Sequence, residues 1–171
     1  MLRRRLRQIK PGQIPTLHSL ASEWYEQNGQ PPDAIQQALA ARDFSRVASL
    51  AEMAWQAMDD SFQTATWLGW VKALPDELVR TRPVLSAQYA WALWMCGELE
   101  ESETRLRDAE RWLEIPADGV VVVDEEQFRT LPAKIALGRA QIAQAQGDVT
   151  GTVKYAQQAT DLLSENDYFE R

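Results

Sequence analysis

Few side chains in this 171-residue sequence are equipped for covalent or metal chemistry. There is one histidine, His18, and one cysteine, Cys96. A zinc site needs several such ligands together, and these two do not supply them. A serine–histidine–aspartate hydrolase would have to use His18, which lies in a helix-patterned stretch with no nucleophile-elbow motif beside it. Asp43, Asp59, Asp60 and Asp124 resemble acid clusters only in isolation. Each precedes a helix-forming segment, where a carboxylate caps free backbone N–H groups and complements the helix dipole. Glu100 and Glu101 are adjacent, so they project from different faces of a helix and read as solvated surface, not as a paired acid and base. Cys96 sits in the apolar run Ala90–Gly97 with no cation beside it and reads as a buried small hydrophobe. The expectation is a non-enzymatic chain without cofactor or metal.

What the sequence does hold is stacking surface: Trp24, Trp55, Trp67, Trp70, Trp91, Trp94 and Trp112 are seven tryptophans in a chain of this size. Aromatic side chains at helical spacing usually form core. Trp91 and Trp94, spaced i, i+3, share one helix face and make a platform.

The elements that must position them repeat. Gly29, Gly97 and Gly147 each close an apolar-periodic segment and stand just before another. Pro15 and Pro83 lie fourteen residues before their glycines, and Pro132 fifteen before its own. Proline suits the first turn of a helix, and glycine suits the left-handed position just past its end. Small residues recur in the same register: Ser22, Ala90 and Ala140 before the glycines, Ala34, Ser102 and Thr152 after them, then Ala41, Ala109 and Ala159. Matched small residues let two consecutive helices pack closely and antiparallel. Second helices are expected to start at Pro31-Pro32-Asp33, Leu99 and Val149, the last capped by Asp148. A further pair without the glycine signature is expected over Phe44–Ala57 and Phe62–Ala73. The stretch Glu114–Asp124, with Pro116, Gly119 and Val120–Val123, breaks the pattern. It reads as a surface excursion whose valines pack back onto the helices, or as an edge strand for a partner, with Asp124 and Gln127 restarting the helix as a capping box.

Charge narrows the partners. The chain carries −7 overall, yet Arg3, Arg4, Arg5, Arg7 and Lys10 are gathered at its start, so the remainder is more acidic still. Such a body repels phosphate backbones and argues against direct nucleic-acid contact. No apolar run is long enough to span a membrane. The basic Met1–Lys10 is followed by Pro11-Gly12-Gln13 and not by the apolar core of a secretory signal. With a single cysteine, a reducing cytoplasm is the expected compartment.

The glycine and small-residue positions resemble the tetratricopeptide repeat. Longer stretches resemble something more specific: Leu17–Gly29 (LHSLASEWYEQNG), Asp33-Ala34-Ile35, Ala38–Phe44 (ALAARDF), Leu74–Pro83 (LPDELVRTRP), Tyr89–Leu93 (YAWAL) and Gly97-Glu98-Leu99 are similar to the sensor domain of MalT-like transcription regulators, the large ATP-dependent members of the LuxR family. Leu2–Arg7 (LRRRLR) is similar to the last helix of the winged-helix segment that precedes that domain. The resemblance implies residues 1–10 as the tail of a winged-helix domain and 11–171 as a tetratricopeptide-like helical repeat domain. The fold class it implies is all-α, with antiparallel helix pairs stacked as a right-handed superhelix. It also implies neighbouring ATPase and DNA-binding domains in a full-length regulator; this chain itself has no G-x-x-x-x-G-K-[S/T] phosphate loop.

In the tetratricopeptide pattern, the offsets of Trp91 and Trp94 from Gly97 face the concave surface. The same offsets pick out Glu23 and Glu26 on the first framed helix and Gln141 and Gln144 on the third. With the three helices side by side, these six residues make an aromatic platform flanked by carboxylates and amides, the parts of a site for a polar ligand with one apolar face. The expected function is therefore signal sensing: binding of a small-molecule inducer, or of a protein or peptide, on the concave face. The alternative is a pure protein–protein scaffold or self-association domain with no small ligand.

Overall fold

The computed structural model describes residues 13–114 and 121–168, and over these it is all helical with no strand. The basic tail 1–10 and positions 115–120 of the excursion lie outside the described residues. The helices are α1 (Ile14–Gln27), α2 (Pro31–Ala41), α3 (Phe44–Asp60), α4 (Thr64–Lys72), α5 (Asp76–Arg80), α6 (Pro83–Met95), α7 (Leu99–Glu114), α8 (Glu125–Arg129), α9 (Leu131–Ala145) and α10 (Val149–Tyr168).

Three antiparallel pairs, α1–α2, α6–α7 and α9–α10, follow the proline-to-glycine frames. Gly29, Gly97 and Gly147 have φ of 68°, 80° and 77°. Each turn carries the same double hydrogen bond. The glycine N–H donates to the carbonyl three residues back (Glu26, Trp94, Gln144), and the next N–H reaches five back (Gln30 to Tyr25, Glu98 to Leu93, Asp148 to Ala143). This is the Schellman closure that left-handed glycine permits. It also occurs twice without glycine, at Arg42 (φ 59°) and Phe62 (φ 58°), which end α2 and α3. Within the pairs the small residues bring backbones together. Ser22 Oγ donates to the Ala34 carbonyl at 2.8 Å, and Ser102 Oγ to the Ala90 carbonyl at 2.7 Å. The two serines occupy opposite halves of the same contact.

A Cβ built on Gly97 meets no atom within 4 Å, so only the backbone conformation opposes substitution there. Gly97→Val should cost about 1–2 kcal/mol, the penalty for a side chain in the left-handed region. A thermal melt should show a fall of several degrees; an unchanged melting temperature would contradict the role of the turn.

The charge-free stretch Pro83–Gly97 forms the central helix. Residues on nearly all sides of α6 are buried, among them Val84, Leu85, Tyr89, Ala92 and Leu93, as expected for a helix that is apolar all round. One core, with Ile35, Val47, Ala51, Trp67, Val71 and Leu85, lies on the side of α2 to α5. A second, with Ala90, Leu106, Leu131 and Ile135, lies against α7 and α9.

Several local expectations need correction. Asp59 and Asp60 do not cap a following helix; they form the last turn of α3, which runs on because Ala57–Asp60 contains no helix breaker. The next helix starts at Thr64, not Phe62. Cys96 is exposed: it is the C-cap residue of α6, and the left-handed turn that follows leaves it outside both cores. Trp24 is 55% exposed on α1, whereas Trp67 and Trp70 are buried. Asp43, Asp124 and Asp148 do cap helices, accepting from Arg46 N, from Glu126 and Gln127 N, and from Gly151 N. At the end of the excursion, the N–H of Val121 donates to the Thr81 carbonyl, and the described residues 121–124 form no strand.

Candidate functional site

Beside the central helix lies a cavity of about 420 Å3, within the size range of small-ligand pockets. One wall is α6, which contributes Val84, Ala87, Gln88, Trp91 and Trp94 along a single stripe. From α3 come Trp55, Gln56 and Asp59; from α9 come Leu131, Lys134, Leu137, Gly138 and Gln141. Ser102 and Leu106 of α7 and Gln127 of α8 complete it.

Trp91 and Trp94 are half-buried, with ring centroids 5.5 Å apart and planes tilted by 56°. Trp55 is fixed from behind by an edge contact with Trp67, 4.6 Å between centroids, and Trp67 is anchored by Nε1–H donating to the Ala51 carbonyl at 2.8 Å. Gly138 lets α9 approach α7, since a Cβ there would stand 3.1 Å from Leu106 Cδ1.

The polar groups are chained. Gln88 Nε2 donates to the Glu52 backbone carbonyl at 3.2 Å and to Gln127 Oε1 at 3.0 Å, and Gln127 Nε2 donates to Asp124 Oδ2 at 3.1 Å. This direction of donation fixes both amides and leaves Gln88 Oε1 without a partner among the described residues; Gln141 Oε1 also has none there. Beneath the chain, the Glu52 carboxyl is buried beside Arg82, 3.5 Å away. Burial outweighs the arginine and the nearby Val123 N–H and pushes the Glu52 pKa up to about 7. Desolvation holds Lys134 below the usual lysine value. Hydrogen bonds, first from the Gln127 N–H, hold Asp124 below the usual carboxylate range.

Of the six site residues expected from sequence, the cavity brings together Trp91, Trp94 and Gln141. Gln144 is exposed near the end of α9, outside the lining. Glu23 and Glu26 lie on α1, away from the cavity, and Glu26 forms an ion pair with Arg46. Of the three framed helices, α6 and α9 pack against each other, but α1 does not stand beside α6: α3, α4 and α5 intervene in the chain and pack against α6 instead. Trp55, Gln88, Gln127 and Lys134 were missed as lining residues. A helical stripe run back from Trp91 by three and four residues reaches Gln88 and Ala87, and one run back from Gln141 reaches Gly138, Leu137 and Lys134, so part of this was available in the sequence. His18 lies on α1, hydrogen-bonded to Gln37. Among the described residues, no group of three or more His, Cys, Asp or Glu side chains is gathered as for a metal, and no helix is long and apolar enough to cross a membrane.

The chain is 31% identical over 160 residues to the HTH-type transcriptional regulator MalT of Serratia proteamaculans, covering 93% of this chain and 17% of the regulator. It is similar to a stretch of MalT-type regulators. The MalT regulator of Yersinia pestis gives 29% identity over 147 residues, 84% of this chain and 16% of that protein. The serine/threonine-protein kinase PknK of Mycobacterium tuberculosis is 33% identical over 116 residues, 64% of this chain and 10% of the kinase. The chain thus spans at most about a sixth of the MalT and PknK relatives it matches. No family model matches it, and no solved structure matches it.

Proposed function

We propose that this chain is the sensing part of a MalT-type transcription regulator, that it binds a small inducer in the cavity beside α6, and that it performs no chemistry itself. The observation that carries this reading is the cavity: a tryptophan platform and mostly apolar walls, with the polar side chains of Gln88, Gln127, Lys134 and Gln141 among them. Such a site holds a ligand by stacking and orients it with a few hydrogen bonds. Similarity to relatives with different outputs, a transcription regulator and a protein kinase, supports a part that receives a signal over one that executes the response. Its partners are then the ligand and the neighbouring ATPase and DNA-binding domains of the full-length regulator in the cytoplasm. The acidic body argues against direct contact with DNA.

A thermal-shift screen of the chain against sugars, peptides and nucleotides tests the reading, because a ligand of the folded state raises stability by mass action. A hit at this site should lose most of its stabilisation in Trp91→Ala. A hit indifferent to Trp91→Ala would place binding elsewhere.

The scaffold reading draws on another observation. The outer helices expose apolar stripes: Leu17, Leu20 and Trp24 on α1, and Val149, Val153 and Leu163 on α10. Such faces suit continued helix packing or self-association, and a concentration-dependent sedimentation coefficient would favour that role.

A further inference from the structure

Two charged side chains line the cavity, Asp59 and Lys134, and they differ in how they are used. Asp59 accepts the Thr64 hydroxyl at 3.4 Å. The Lys134 ammonium has no hydrogen bond and no carboxylate oxygen within 4.0 Å among the described residues. The carboxylates that act on it from a distance are Asp124 and Glu126. Asp124 is already occupied by the Glu126 and Gln127 N–H groups and by Gln127 Nε2. Lys134 also stands in the first turn of α9, where the helix end is itself partly positive and disfavours a cation. Desolvation adds to this and lowers its pKa. Lys134 is an exposed side chain, but it stands at the wrong end of a helix and has no counter-ion among the described residues, so it gains when an anion arrives.

We propose that Lys134 selects an anionic ligand: the cavity takes a flat, apolar molecule bearing one carboxylate or sulfonate, its face on the Trp91–Trp94 pair and its anionic group on the Lys134 ammonium. This rests on the ligand-cavity reading above and narrows it. Lys134 and the two tryptophans line one continuous space of about 420 Å3, enough for a molecule of two or three rings. Stacking supplies area without regard to charge, and the ammonium decides between an acid and its neutral counterpart.

Two fluorescent probes with nearly the same body separate these contributions. 8-Anilino-1-naphthalenesulfonate carries an anion, and N-phenyl-1-naphthylamine does not. Both are titrated into the 171-residue chain and into Trp91→Ala, Lys134→Gln and Lys72→Gln. Lys72 is exposed and paired with Glu98 outside the cavity, so its variant controls for non-specific surface pairing. The expected result is sulfonate binding at least ten-fold tighter than that of the neutral probe. Lys134→Gln should remove that preference and leave the neutral probe unchanged, Lys72→Gln should alter neither, and Trp91→Ala should weaken both. Equal affinity for the two probes, or a preference that survives Lys134→Gln, overturns the role of Lys134 and leaves the cavity standing. Binding of neither probe, or binding indifferent to Trp91→Ala, overturns the cavity reading itself.

Discussion

Trp67→Ala is expected to cost about 3–5 kcal/mol, the range for removing a core tryptophan, and to lower the melting temperature by on the order of 10 °C. Trp67 is fully buried, its Nε1–H is bonded to the Ala51 carbonyl, and its ring meets Trp55 at 4.6 Å. Truncation opens a cavity in the core of α2 to α6, removes the indole's hydrogen bond to the Ala51 carbonyl and removes the support behind Trp55. Trp91→Ala removes a side chain of the same type that is only half-buried in the cavity wall. It should cost clearly less, since part of that indole already faces open space. Parallel urea titrations of the two variants give the comparison. Equal losses would mean that Trp91 is core and that the cavity does not stay open in solution. A small loss for Trp67→Ala would undermine the packing of α4 against α3.

The difference between these two tryptophans was only partly legible in the sequence. Their distances from Gly97 and their spacing placed Trp91 and Trp94 on one face, and the structure puts both on the cavity. The helix pairs were legible because proline and glycine mark backbone conformations that few other residues adopt. Where the chain makes the same turn with Arg42 or Phe62, the mark is absent. Phe62 is 91% exposed at a φ of 58°, and no local pattern announces a phenylalanine there. The end of α3 and the start of α4 were misplaced for that reason. The error propagated to the site: treating the glycine-framed helices as neighbours put Glu23 and Glu26 beside Trp91, when α3 with Trp55 and Asp59 holds that place. Cys96 was misread because an apolar neighbourhood in sequence says nothing about the direction a side chain takes in the last turn of a helix. The amide chain from Gln88 through Gln127 to Asp124 joins residues far apart in sequence. It depends on how the excursion returns to the fold, which periodicity does not encode.

That returning segment leads to the second large effect, on Glu52. Its side chain is 1% exposed. Arg82 approaches to only 3.5 Å, and Arg82 also serves the Ser49 hydroxyl and the Ser45 carbonyl. Among the described residues Glu52 Oε1 has no partner. Burial therefore dominates, and the pKa rises from 4.5 to about 7 in the folded chain. A group whose folded pKa lies above its unfolded value contributes stability that is complete below the unfolded value and is lost as pH rises through the folded one. For Glu52 the window runs from about pH 4.5 to about 7, and the shift corresponds to about 3 kcal/mol. Glu52→Gln mimics the protonated acid and keeps its shape. It should match the wild type near pH 4.5 and exceed it by up to about 3 kcal/mol at pH 8. The difference between the two proteins cancels every other titration, including those of Glu110 and Asp124, whose lowered pKa values act below this window. Arg82→Met tests the other side of the pair. With the arginine gone, the ionised carboxylate loses the cation beside it and the folded pKa rises further, so the variant should go on losing stability above pH 7, where the wild type levels off, while the two slopes below pH 7 stay similar at the one-proton limit. Urea unfolding at both pH values reads both variants. A Glu52→Gln stability that stays parallel to the wild type across the window would show that Glu52 is ionised throughout, held by Arg82 more strongly than a 3.5 Å contact implies.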